Sequence, residues 1–404
     1  MSEWEKVKLE DLVRIKHGFA FKGEHFCVQP SRYSLVTPGN FAIGGGFLRT
    51  KKFYDGPVPQ EYVLAPGDLL VTMTDLSKAG DTLGYSAVVP RDESTTYLHN
   101  QRVGLVEVLD PSIADPAFLQ WVMRASAYRQ EVLASATGTT VRHTSPGRIA
   151  AYEFHLPPLS EQRAIAAVLG ALDDKIESNR RSISRLEDMF MLECAALMAD
   201  AEPAGVQRLA ELAHLSLGGT PSRANPAFWD GGEIPWINSG CLHERPVLTP
   251  ADYVTQLGLE RSATKLVPAG ATVVAITGAT LGVISRLGSP CAINQSVVAI
   301  CSPDQPLNTY LYFWIRSNIA ELVSSATGAA QQHVNKSNFE ELRVALPPGR
   351  TLAAVHELRA LLDQEVRLAK ESRTLSQLRD ALLPELLSGR LRVRDAEQVV
   401  SEAV

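Results

Sequence analysis

Asn225-Pro226-Ala227-Phe228 resembles, with Ala at its third position, the Asn-Pro-Pro-Phe motif of adenine methyltransferases, a resemblance that implies Asn and Pro groups bonding the amino group of a flipped base. Methyl transfer to that base would also need a glycine-rich loop after a strand to hold the methyl donor, and none precedes the tetrapeptide. Gly44-Gly45-Gly46 reads as a flexible turn, because no Gly-Lys-Ser/Thr follows to cradle a phosphate. Metal-assisted hydrolysis would need clustered carboxylates beside a lysine, and the acidic residues are scattered. The histidines lack His-Glu-x-x-His spacing, and Cys27, Cys194, Cys241, Cys291 and Cys301 form no Cys-x-x-Cys pair. Neither a catalytic centre, a metal site nor a disulfide framework is expected. What remains is the chemistry of binding.

The elements that would position binding groups follow from an internal repeat spaced by about 190–200 residues. Leu9-Glu10-Asp11-Leu12 before Gly18 matches Leu209-Ala210-Glu211-Leu212 before Gly218. Gly67–Thr74 matches Gly270–Thr277, and Asn100-Gln101 matches Asn294-Gln295. Phe118–Trp121 matches Leu311–Trp314, Ser135-Ala136-Thr137-Gly138 matches Ser325-Ala326-Thr327-Gly328, and Leu156-Pro157-Pro158 matches Leu346-Pro347-Pro348. Each half reads as a mixed α/β globule. Runs such as 68–73, 103–108, 272–276 and 297–301 are strands between turns, and 116–125 and 308–318 are short aromatic helices.

A long helix is expected after each globule, the first capped by Ser160. Ile165, Leu169, Leu172, Ile176, Asn179, Ile183 and Leu186 alternate at +4 and +3 and continue to Phe190, a heptad seam with one polar member. Leu361, Leu368, Leu375 and Leu382 repeat every seven residues in the second copy, which Pro384 interrupts. Two such helices can bury their stripes on one another antiparallel within the chain, or each on another chain. The fold class expected is α+β: two mixed globules joined by a pair of long antiparallel helices, with pseudo-two-fold repetition.

The chain has 404 residues and is 45% hydrophobic, enough for more than one core. Its formal net charge of −6 does not by itself suggest a nucleic-acid ligand. Much of the acidic excess lies in 151–200, with 5 basic and 9 acidic residues, inside the expected first long helix. No signal peptide or membrane span is expected, and a reducing cytoplasm fits the cysteine usage.

Gly218-Gly219-Thr220-Pro221-Ser222, followed by Asn225-Pro226, Trp229 and Ile234-Pro235-Trp236-Ile237-Asn238-Ser239-Gly240, resembles the opening of a target-recognition domain in type I restriction–modification specificity subunits. The two Asn-Gln blocks, the two Leu-Pro-Pro segments and Leu382–Leu391 resemble that family too, so the likeness covers nearly the whole chain. It implies recognition domains at 1–158 and 201–348, spacer helices at 159–200 and 349–392, and a tail at 393–404. It also implies a non-catalytic subunit that binds a bipartite site in double-stranded DNA and docks two methyltransferase subunits, with two restriction–translocase subunits as further partners. S-adenosylmethionine, ATP and magnesium would belong to those partners, with no cofactor in this chain. The first half departs from the pattern, opening with Gly18-Phe19-Ala20-Phe21-Lys22-Gly23. A methylation-only or other phage-defence role, a fused methyltransferase or nuclease, and a coiled-coil adaptor are the rival readings.

DNA contact calls for Lys and Arg at phosphates and for polar side chains at base edges. In the first globule the candidates are Arg49, Lys51, Lys52, Thr72, Thr74, Lys78, Arg142 and His143. In the second they are Ser222, Arg223, Asn238, Ser239, Thr277, Thr280, Gln331, Gln332 and Lys336. Asn100, Gln101, Asn294 and Gln295 recur in both halves and are read as scaffold hydrogen bonding.

Overall fold

The computed structural model describes residues 4–77, 79–325 and 334–403. Two compact units emerge, Met1–Asp174 with Leu375–Val404, and Lys175–Thr374. Their boundaries fall inside both long helices, Leu159–Ala199 and Arg359–Leu387, so each unit contains part of each.

In the first unit a four-stranded sheet has the order Val13–His17, Val103–Val108, Leu69–Thr72, Ser86–Val88, antiparallel throughout. A second sheet orders Phe26–Cys27, Phe53–Tyr54, Tyr33–Val36 and Thr96–His99, with the last two parallel. Strand Glu5–Lys8 pairs with Glu153–Leu156, which fixes the N-terminal segment beside the start of the first long helix.

The second unit repeats this plan. Its antiparallel sheet has the order His214–Leu217, Val297–Cys301, Thr272–Ala275, Ile284–Arg286. Its other sheet again contains a parallel pair, Ile234–Ile237 with Cys291–Ile293. Strand Gly205–Arg208 pairs with Arg343–Leu346, as Glu5–Lys8 does with Glu153–Leu156. The repeated glycines have a physical reason. A Cβ on Gly18 would lie 2.2 Å from the Asn100 carbonyl oxygen, and one on Gly218 would lie 1.8 Å from that of Ile293. Only glycine allows the chain to pass so close to the turn carrying the Asn-Gln block.

Several expected boundaries shift. The first long helix begins at Leu159, before Ser160, because the Pro158 carbonyl already accepts from the Glu161 and Gln162 amides. Its start is held instead by buried Gln162, which accepts from the Asp115 amide and donates to the Ile113 and Pro157 carbonyls. The aromatic helix of the first globule ends at Val122 and is followed by Ser126–Ala134, whereas that of the second extends over Gln305–Ser325. Pro384 lies within its helix, exposed, and the helix continues to Leu387. Proline removes one intrahelical bond, and the carbonyl it frees belongs to exposed Asp380.

Candidate DNA-reading surfaces and helix seams

Ile165, Leu169 and Leu172 in the first unit, and Ile176 and Asn179 in the second, are buried, while Ile183 and Leu186 are half-buried. In the second unit Asn179 donates to Glu371 (3.1 Å) and Lys175 pairs with the same carboxylate (3.2 Å). Farther along, Phe190 and Cys194 share a core with Leu362 and Val355. Moving forward on one helix therefore moves backward on the other: within this unit the pairing is antiparallel.

The second helix does not follow a strict seven-residue seam. Leu375 and Leu382 are buried, but Leu361 and Leu368 are half-buried flanks, and the inward positions are Leu362 and Glu365. An α-helix drifts by about 20° per heptad against a 7-residue repeat. A break at Leu358, between Gly349–Glu357 and Arg359–Leu387, adds to the shift.

Charged groups fasten the helices to the globules, and the hydrophobic pattern did not reveal them. In the first unit Asp173 accepts from Arg124 and Arg379, each at 2.5 Å. Burial would push its carboxyl up, but the two guanidiniums outweigh burial and hold it below the ordinary range. Arg124 also donates to the Gly44 carbonyl (2.7 Å) and stacks on Trp121. A Cβ at Gly45, which has positive φ, would collide with Arg124, so the triple-glycine turn is a fitted cover for that arginine. In the second unit Glu187 accepts from Arg316 and from Tyr312, with Arg245 3.7 Å away. Glu365 is buried nearby.

The expected DNA-contact residues divide by accessibility. Lys51 is committed to Asp92, Thr95 and the Tyr97 hydroxyl, and it lies over the Tyr97 ring. The Lys51 contact is the leading reason the Asp92 carboxyl is held far below its usual range. Lys52 is exposed and lies over Phe26, and Arg49 reaches the Arg91 carbonyl and Asp92. Thr72 and Thr74 are corrected to interior positions. Thr72 donates to the Thr82 carbonyl, and Thr74 meets the His143 ring (3.2 Å). They shape a loop that Asp75 organises by accepting from the Ser77 amide and from the Thr82 amide and hydroxyl. Arg142–His143 pairs with Thr74–Asp75 at the base of this loop, with His143 exposed. Lys78, Gln331 and Gln332 lie outside the described residues.

In the second globule Ser222 and Arg223 are exposed, Asn238 caps the turn at Gly240, and Ser239 is half-buried. Thr277 and Thr280 bound a short 3₁₀ turn in which the Thr280 hydroxyl donates to the Thr277 carbonyl, and Lys336 pairs with Glu340. Arg223 stacks on Trp229 at 3.4 Å and pairs with Asp252 at 2.5 Å. Asp252 stands 29 residues away in sequence, so no local pattern pointed to it. The scaffold amides are also placed: Asn294 accepts from the Ser296 amide, and Gln295 accepts from the Thr220 hydroxyl. Asn225 caps the turn Pro226–Phe228. Among the described residues no His/Cys/Asp/Glu cluster could hold a metal, and no helix is long and apolar enough to cross a membrane.

A family described as type I restriction modification DNA specificity domain matches residues 1–188 and 202–351. The chain is 22% identical over 336 residues to the type I restriction enzyme MjaIX specificity subunit of Methanocaldococcus jannaschii, spanning 78% of this chain and 76% of that one. It is 26% identical over 194 residues to the type I restriction enzyme HindI specificity subunit of Haemophilus influenzae, spanning 46% of this chain but only 41% of that one. The solved S subunit of a type I restriction–modification system from M. genitalium superposes with a TM-score of 0.57 at 17% identity, covering 95% of this chain and 96% of that one, which is a likeness of fold.

Proposed function

The chain belongs to the type I restriction–modification DNA-specificity family, and from that membership we propose that it is the non-catalytic subunit that tells such a complex where to act. The observation that carries this reading is duplication: two globules of the same sheet plan, both within the matched family regions. Each globule, 1–158 and 201–348, reads one half of a bipartite site in double-stranded DNA. Polar loops enter the major groove, where each base pair shows a distinct donor–acceptor pattern. Contacts come from Arg49, Lys52, Arg142 and His143 in the first globule, and from Ser222, Arg223, Asn238, Ser239, Thr277, Thr280 and Lys336 in the second.

The spacers, 159–200 and 349–392, set the number of unread base pairs and dock two methyltransferase subunits; 393–404 is a tail. Two restriction–translocase subunits complete the nuclease form. S-adenosylmethionine, ATP and magnesium are used on those partners, where the target adenine is flipped out for reaction. Methylome sequencing of the host with and without this gene tests the reading. One bipartite methylation motif should disappear with the gene; an unchanged methylome refutes it. The purified chain mixed with labelled methyl donor and DNA should incorporate nothing.

A further inference from the structure

Arg223 is held far more firmly than an exposed arginine needs to be. The carbon of its guanidinium lies over Trp229, 3.4 Å from the ring centroid, and 5.5 Å from that of Trp236. Both indoles are themselves fixed: Trp229 donates to the Ser222 carbonyl, Trp236 donates to that of Gly219, and the rings meet edge to face at 5.4 Å. One terminal nitrogen, Nη1, donates to Asp252 at 2.5 Å, and the other oxygen of that carboxylate accepts from the Tyr253 amide. The carboxylate is therefore pinned as well. Despite these restraints the Arg223 side chain is 55% exposed. Its Nε and Nη2 donate to no partner among the described residues.

We propose that Arg223 is a base-reading residue of the second globule, its free Nε/Nη2 edge donating to O6 and N7 of a guanine in the major groove. This assignment rests on the DNA-recognition reading above and names one of its specificity determinants. The geometry favours a base over a phosphate for an electrostatic reason. A carboxylate in contact with the guanidinium cancels most of its field, so the pair gains little from a phosphate and Asp252 repels one. A guanine edge is neutral overall and presents two acceptors, which the planar fork matches in geometry. Stacking and the ion pair supply that geometry in advance, so little rotamer freedom is lost on binding. The first globule has Lys22 in the corresponding opening block, a point charge without a fork. The device belongs to one half-site only.

The test uses the chain assembled with its methyltransferase partner, comparing wild type with Arg223→Lys and Asp252→Asn by methylome sequencing and by competition binding of duplex libraries. Arg223→Lys keeps the charge and loses the fork. One G·C position in one half-site should become degenerate, its discrimination falling roughly 5- to 150-fold, while the other half-site is unchanged. Asp252→Asn keeps Arg223 but unpins it, and the same position should relax to a smaller degree. If Arg223→Lys fails to assemble, the Asp252→Asn result decides. An unchanged motif with binding altered uniformly across sequences would make Arg223 a phosphate contact and overturn the proposal. An unchanged motif at unchanged affinity would overturn it too. A wild-type complex with no bipartite motif would instead defeat the underlying reading, a result seen before any variant is made.

Discussion

Glu365 turns the junction of helix and globule in the second unit into a measurable pH dependence. It is only 2% exposed on the inward face of Arg359–Leu387. The groups acting on it are Arg286 from strand Ile284–Arg286, Arg316 from helix Gln305–Ser325, Arg245 from the loop before Val247, and Glu187 from the first long helix. Burial pushes its carboxyl up to about 7, against the pull of Arg286 and with the help of Glu187, from an ordinary value of 4.5. The folded form thus binds a proton that the unfolded form has released. Stability from this group is complete below about pH 4.5 and is lost as pH rises through 7. Between pH 6 and pH 8 the unfolded side chain stays ionised while the folded one goes from mostly protonated to mostly charged. The loss integrates to about 1.4 kcal/mol. Glu365→Gln keeps the neutral shape and removes the titration. The assay is a thermal melt of both proteins at pH 6 and pH 8, taken as a difference so that other titrating groups cancel. Wild type should lose roughly 3–5 °C more than the variant over this interval. Parallel pH profiles would refute the buried-proton argument.

The other predictions concern the helices and the close backbone approaches. Asp173→Ala should cost about 3 kcal/mol in chemical denaturation, because it leaves buried Arg124 without its carboxylate and Arg379 with only exposed Asp380; a loss below about 1 kcal/mol would mean that water replaces the carboxylate. Gly218→Ala should destabilise by about 1–3 kcal/mol, its methyl meeting the Ile293 carbonyl. Gly170→Ala, in the first long helix with open space around its Cβ, should stabilise by about 0.5–1 kcal/mol in the same denaturation series. Removing four residues from each long helix shortens it by about 6 Å and should narrow the unread gap in the methylation motif by one or two base pairs; an unchanged gap in methylome sequencing would end the spacer idea.

The architecture was legible in the sequence because duplication is a global signal. One matched pair meets the same steric demand twice, at Gly18 and Gly218, where a Cβ would collide with a backbone carbonyl. The heptad stripe of the first helix was legible because its apolar members outnumber its exceptions. The second stripe was read one residue off at Leu361, since its inward face carries a glutamate and begins after a break. A hydrophobic pattern cannot register a buried charge.

The binding surface was less legible, for a related reason. Residue type tells which groups could meet DNA, but not which are already taken. Lys51 has three internal acceptors, and Thr72 and Thr74, expected as DNA contacts, turn inward. Asp75 and Asp252, both unremarked in sequence, decide the shape of the loop after Thr74 and the aim of Arg223. An acidic side chain beside a basic one lowers the net charge that composition counts while raising the precision with which the base is held. A formal charge of −6 is then compatible with reading DNA: where carboxylates aim the readers, sequence discrimination is retained while the non-specific phosphate attraction is reduced.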